Sequence, residues 1–299
     1  MPASTVTIPD LFDPAFLAAI ERLKIVARRV APRGSPAEKR SKQQGSGLEF
    51  RDFRPYSPGD DIKAIDWNVY QRLGKVFLRL FEEQRDLPLY IAPDVSSSMF
   101  HGAPMRVDAC LRAAFAFAAI ALREADSVGV FPFSNDVEVA LRPGSGSGRL
   151  LRVAAALTKV RPGPQTDFRA AMQRLGAMRL RPGLLVVVSD FFDPGGIDAV
   201  CAAFQNVRHR LCFVQLVRRS DSEPGLSGEC LLRDLETGSE AEVSITSAAL
   251  DAYRAAYRRF DEGLTGFAKK RHAGLVRIDV EAELVPQLAR LFEAGAYVL

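Results

Sequence analysis

Apolar and polar positions change period several times along the chain. Between Phe12 and Val30, Phe16, Ile20, Leu23 and Val26 recur at helical spacing and predict a helix. Residues 31–47 are rich in Gly, Pro, Ser, Lys and Arg, which predicts a loop or linker. LEFRDFRPY (48–56) and KVFLRLFEEQ (75–84) alternate like strands, and SPGDD between them is a turn with Pro58 and Gly59 at turn-favoured places. This predicts a small β-rich region, with the segment around Trp67 packed between its strands.

From Pro88 onward strands and helices alternate. PLYIAP runs into Asp94, and Val107, Leu111, Phe115, Ala118 and Leu122 form one stripe of the next helix. SVGVFPFS and VEVALRP (137–143) predict strands, GSGSG (144–148) a flexible loop, and 150–160 and 166–178 helices. LLVVVSD (184–190) is apolar throughout, as a strand covered on both faces requires. A helix over 196–205, the strand RLCFVQLV, a hairpin near 229–245, a long helix over 247–271, the strand GLVRIDV and a helix over 284–293 complete the pattern. The alternation predicts an α/β fold, a doubly wound and mainly parallel sheet of Rossmann-like type with a small β-containing N-terminal extension. The expected division is residues 1–85 for the N-terminal helix, basic linker and β-rich region, and 86–299 for the α/β domain with its hairpin insertion.

Composition narrows the function classes. Hydrophobic residues make up 47% and charged residues 25%, which excludes disordered, collagen-like and coiled-coil chains. Forty basic residues against 36 acidic give +4, too mild to call for a nucleic-acid partner. Ala109 to Leu122 is the most apolar stretch, but Arg112 interrupts it, so no membrane span is expected. The first residues lack the pattern of a secretory signal, and the expected location is the cytoplasm. Cys110, Cys201, Cys212 and Cys230 have no CxxC spacing and read as small buried hydrophobes.

The candidate chemistry sits at strand ends, where open α/β sheets bind ligands. Asp94 ends an apolar strand and is followed by Ser96 and Ser98. Thr166 lies in a loop before a helix, and Asp190 ends a second apolar strand. Carboxylates with hydroxyls form an all-oxygen set that suits a hard cation, Mg²⁺ or Mn²⁺. Two carboxylates brought close repel, and a bound cation removes that penalty. A metal-dependent hydrolase such as a phosphoesterase is the alternative. It lacks a convincing base, His101 being the only nearby candidate, and neither a GxSxG elbow nor a P-loop is present.

The order Asp94-x-Ser96-x-Ser98, Thr166, Asp190 resembles the metal-ion-dependent adhesion site (MIDAS) of von Willebrand factor type A domains. That resemblance implies that Asp94, Ser96, Ser98 and Thr166 are direct or near-direct ligands and that Asp190 acts through water. It also implies that an acidic residue of a partner completes the coordination. Gln165 stands where many relatives have Gly. A second set of motifs, Gly45-Ser-Gly47-Leu-Glu49-Phe50, Arg54-Pro-Tyr56, Ser57-Pro-Gly59-Asp60-Asp61, Ile65-Asp66-Trp67 and Asp234-Leu-Glu236-Thr-Gly238, resembles the signature of the bacterial domain-of-unknown-function family fifty-eight. This resemblance implies a von Willebrand type A-like domain and partnership with a MoxR-type AAA+ ATPase or its client. The expected function is therefore a non-enzymatic, metal-dependent protein-binding module, an adaptor or co-chaperone. In the signature, Arg54, Tyr56, Asp60, Asp61, Asp66 and Trp67 read either as a braced turn or as a partner surface with Tyr56 and Trp67 as anchors. Of these, Trp67 reads more readily as core than as interface.

Overall fold

A computed structural model of the chain describes residues 11–30, 48–57, 60, 65–83, 88–123, 127–234 and 238–293. The chain divides into two units, one of residues 1–33 and 87–299 and one of residues 34–86.

The larger unit is built on a six-stranded sheet. Its strands are β3 (Leu89–Pro93), β4 (Val128–Val130), β5 (Leu141–Gly144), β6 (Leu184–Ser189), β7 (Arg210–Val217) and β10 (Gly274–Asp279), in the order β10-β7-β6-β3-β4-β5. All neighbours are parallel except β5, which runs antiparallel to β4. Every residue of β3 and β6 is buried, because helices cover both faces. Alternate side chains serve two cores. Ile91, Val186, Val188, Cys212 and Val214 face one layer. Tyr90, Ala92, Leu185, Val187 and Phe213 face the other, where Phe168, Phe191 and Phe204 pack around them.

The first layer centres on α3 (Arg106–Arg123), which is buried on every side from Ala113 to Ala121 rather than along one stripe. The reason is α1 (Pro14–Val30). Phe12, just before it, and Phe16 within it lie against Phe115 of α3, with the Phe12 and Phe115 rings 4.4 Å apart. Arg112 donates to Leu11 O at 2.9 Å and pairs with Asp13 at 3.2 Å. The N-terminal helix therefore belongs with the α/β unit, not with the β-rich region as the 1–85 division has it. Helix α9 (Leu284–Glu293) adds Leu284 and Leu288 to the same core.

The second layer holds α5 (Phe168–Ala177), α6 (Gly196–Phe204) and α8 (Ser247–Lys270), with α4 (Arg149–Leu157) serving the first layer. The expected strand over 137–143 is confined to Leu141–Gly144, while Val137 makes an isolated bridge to Phe133. A short helix α7 (Arg219–Ser222) follows β7. Then β8 (Gly228–Arg233) and β9 (Glu240–Ile245) form their own two-stranded hairpin, where the insertion is expected. Cys110 and Cys212 are buried, whereas Cys201 and Cys230 are half-buried.

In the smaller unit β1 (Leu48–Pro55) pairs antiparallel with β2 (Phe77–Glu83), with a bulge between Phe50 and Asp52. The segment between them is not packed between the strands. It forms α2 (Trp67–Leu73), which buries no residue, and Trp67 is 57% exposed. The apolar seal is made instead by Ile65 and Leu78, which bridge each other and are buried. The ends of α2 are closed locally. Asp66 accepts from Asn68 N and Val69 N, and Gly74 at φ 64° supplies the left-handed C-cap. Among the described residues no helix is long and apolar enough to cross a membrane.

Candidate metal centre

Three loops at the carboxyl edge of the sheet are joined by main-chain hydrogen bonds. Asp94 N, just past β3, donates to Val188 O of β6 at 2.8 Å. Val95 N donates to Phe133 O at 2.8 Å, which attaches the loop after β4. Gly163 N donates to Val95 O at 2.7 Å and Asp167 N to Ser134 O at 3.1 Å, which brings in the loop before α5. Gly163 is required by contact, because a Cβ there would lie 2.3 Å from Ser134 Oγ. The helix expected from Thr166 begins at Phe168, since Asp167 caps it by accepting from Ala170 N at 2.8 Å. Thr166 is thereby left in the loop, and it is buried.

These loops bring all five expected ligands to one place. Asp94 is fully buried; its Oδ1 accepts from Ser96 N at 2.9 Å, and the Ser96 and Thr166 hydroxyls lie near enough to favour its anion. The Ser96 and Ser98 hydroxyls are 3.1 Å apart. Asp190, 4% exposed, lies near enough to feel the charge of Asp94. Burial pushes the Asp94 carboxyl above its ordinary range, against the hydrogen bonds from Ser189, Ser96 and Thr166 that favour the anion. Burial first, and the Asp94 charge second, push Asp190 up to about 7, with Arg106 opposing. Beneath them burial and the same negative charge raise the Cys110 thiol, which donates to Asp94 O and Val188 O at 3.7 and 3.5 Å.

The residues fit a hard cation. Two carboxylates crowded in a dry site are held apart from water with no cation of their own apart from Arg106. The 3.1 Å between the two serine hydroxyls matches the spacing of about 3.0 Å between adjacent oxygens around six-coordinate Mg²⁺ with bonds of about 2.0–2.1 Å. Among the described residues no group of three or more His, Cys, Asp or Glu side chains that could hold a metal ion occurs; the candidate donors are two carboxylates and three hydroxyls, oxygen throughout. His101 is exposed and its Nδ1 lies 2.7 Å from Ser97 O. An open pocket of about 570 Å³ adjoins the Thr166 side, with Asn135, Gln165, Arg169 and Asp193 in its wall.

Four further residues shape the site. Ser189 Oγ donates to Asp94 Oδ2 at 2.6 Å and accepts from Phe191 N at 2.9 Å. Its place one residue before Asp190 was the only signal in the sequence. Arg106 Nε lies 3.7 Å from Asp190 Oδ2, and the same guanidinium donates to Asp221 Oδ1. Asp221 Oδ2 also accepts from Arg218 N at 2.8 Å. The Arg218 guanidinium lies over Gly102 and donates to Pro104 O.

In the smaller unit, Arg54 donates to Asp60 at 2.7 Å and Asp60 accepts from Ser57 N at 2.8 Å. The pair closes the turn, and Arg54 holds the Asp60 carboxyl below its ordinary range. Asp66 is the α2 cap. Tyr56 and Trp67 are exposed at 36% and 57%. Asp61 lies outside the described residues, as do the basic stretch 31–47 and the turn residues Pro58 and Gly59.

The fold and site define a mainly parallel α/β protein with a buried oxygen cluster at its strand ends. A family model described as "Protein of unknown function DUF58" matches residues 52–262, and the chain belongs to that family. The uncharacterized protein Rv1480 of Mycobacterium tuberculosis is 26% identical over 269 residues, covering 86% of this chain and 83% of the relative. An uncharacterized protein of Mycobacterium avium, MAV169, is 30% identical over 118 residues, covering 39% of this chain and 69% of the relative. Among solved structures, the conserved hypothetical protein BatB of Bacteroides thetaiotaomicron aligns with TM-score 0.42 at 15% identity, covering 70% of this chain and 98% of that one. An aerotolerance-related membrane protein of Bacteroides fragilis aligns with TM-score 0.38 at 17% identity, covering 70% and 98%.

Proposed function

We propose that the chain is a metal-dependent protein-binding module of von Willebrand factor A-like type. Asp94, Ser96, Ser98 and Thr166 would hold Mg²⁺ or Mn²⁺, with Asp190 acting through water, and an acidic side chain of the partner would complete the coordination. The observation that carries this reading is the convergence of these five oxygen-bearing side chains at the ends of β3 and β6. The cation would supply a Lewis-acidic position for the partner's carboxylate. The chain's own residues fix the geometry: Ser189 holds one Asp94 oxygen, Ser96 N the other, and Gly163 keeps the Thr166 loop in register.

The partner assigned by the family resemblance is a MoxR-type AAA+ ATPase or its client, in the cytoplasm, with the chain as adaptor or co-chaperone and not as an enzyme. The exposed Tyr56 and Trp67 suit a second contact surface. A hydrolase reading has less support, since the nearby His101 is exposed and turned to a main-chain carbonyl.

Calorimetric titration of Mg²⁺ and Mn²⁺ into EDTA-treated wild type and Asp94→Ala tests the site. Binding by wild type alone is expected. No binding by wild type, or equal binding by both, overturns the reading.

A further inference from the structure

Arg106 is the first residue of α3, and its side chain is 11% exposed. It stands between two carboxylates, Asp190 and Asp221, whose side chains are 6% and 12% exposed. Asp190 in turn feels Asp94. The buried cluster thus sets three carboxylates against one guanidinium and carries two net negative charges when all are ionised. Arg218, half-buried at the rim, also acts on this cluster through Asp221 and Asp190, with exposed Glu281 beside it as a charge of opposite sign. A divalent cation among Asp94, Asp190 and the hydroxyls brings the buried cluster to neutrality. Without Arg106 the loaded cluster would remain negative and would repel an incoming anion.

We infer that Arg106 is a specificity-determining residue, which neutralises the Asp190–Asp221 side of the cluster so that the bound cation is left able to accept an anionic carboxylate from a partner. This rests on the proposed metal site and deepens it. Two consequences of opposite sign follow from one charge. Arg106 repels the metal, so removing it strengthens metal binding. Arg106 attracts the carboxylate, so removing it weakens the second ligand. In a partly desolvated site a unit charge at several ångströms is worth about tenfold or more in affinity. A merely structural role would weaken both ligands together.

The test uses the full chain at pH 8 with Mn²⁺ and acetate as probes. Calorimetry reads Mn²⁺ affinity, and the enhanced proton relaxation of the acetate methyl group reads carboxylate entry beside the bound Mn²⁺. Wild type is expected to bind Mn²⁺ and to show saturable acetate relaxation. Arg106→Gln is expected to bind Mn²⁺ several-fold more tightly and acetate about tenfold more weakly, and Arg106→Lys, which keeps the charge, to restore acetate binding. If Mn²⁺ binds wild type but acetate does not, or if Arg106→Gln loses Mn²⁺ and acetate in parallel while retaining the wild-type circular dichroism, the inference is overturned and the metal site stands. If Arg106→Gln is found unfolded, Arg106→Lys must match wild type for both ligands; otherwise the inference is equally overturned. Failure of wild type to bind Mn²⁺ overturns the metal site itself.

Discussion

Ser189 and Asp94, 95 positions apart in the chain, share a 2.6 Å hydrogen bond in which the serine hydroxyl is donor and Asp94 Oδ2 acceptor. Both residues are fully buried. The bond crosses from the end of β6 to the end of β3, and the same serine oxygen accepts from Phe191 N. That second bond holds Phe191 at φ 63°, a conformation uncommon outside glycine, and turns the chain so that Asp190 faces the cluster. One hydroxyl therefore sets both carboxylates.

Replacing Ser189 by Ala removes a donor from a buried carboxylate and leaves Phe191 N without that acceptor. The expected loss is about 1–3 kcal/mol of stability at neutral pH, read from the urea midpoint, with weaker Mg²⁺ binding by calorimetry. Unchanged stability would mean that Ser189 does not anchor Asp94.

The raised carboxyls predict an unusual pH dependence. Asp190 is pushed from 3.8 to about 7, so between about pH 4 and pH 7 the folded chain holds a proton that the unfolded chain has released. Stability then falls as pH rises through that window, by at most about 1.4 kcal/mol per pH unit per proton. Asp94, also raised, adds in the same direction. Urea midpoints in EDTA should decline from pH 5 to pH 8. Asp190→Asn should flatten the decline, and Mg²⁺ at about 10 mM, roughly tenfold above the dissociation constants of the weakest divalent sites, should abolish it.

Gly163→Ala places a methyl group 2.3 Å from Ser134 Oγ. The Thr166 loop must move away from Ser134. A cost of about 1–3 kcal/mol is expected, with metal affinity reduced more than in Gly176→Ala, where a Cβ meets nothing within 4 Å. Paired titrations of the two variants decide it.

Trp67→Ala should change stability by less than about 0.5 kcal/mol, as for other exposed positions. Trp67 is the single tryptophan of the chain, so intrinsic fluorescence reports it alone. Emission of a solvent-exposed indole is expected, shifting to the blue when a partner covers it. A blue emission maximum in the isolated protein would contradict the exposed placement.

Much of the larger unit was legible because its strands are short apolar runs ended by chemistry: LYIAP before Asp94 and LLVVVS before Asp190 state both burial and position. Periodicity told less about partners. The stripe of α1 shows that one face is covered, but not that Phe115 of α3 covers it. Trp67 misled because residue type suggests burial, whereas the Asp66 and Gly74 caps close α2 while its own side chains stay unburied. Arg106 and Asp221, separated by 115 positions, carry no local signal of their pairing. Ion pairs are set by where two loops finish, which hydrophobic spacing does not encode.

Because α1 precedes residues 34–86 and β3 follows them, both within one core, the smaller unit is an interposed loop with two covalent moorings. A single proteolytic nick inside it would release neither half from the α/β core. Its closure entropy grows only slowly with length, by about 0.6 kcal/mol for each doubling, so the host is tolerant of enlargement or shortening there. Replacing residues 34–86 by a Gly-Ser linker should leave a foldable core in which the proposed metal binding at the strand ends can be titrated apart from the proposed Trp67 contact surface.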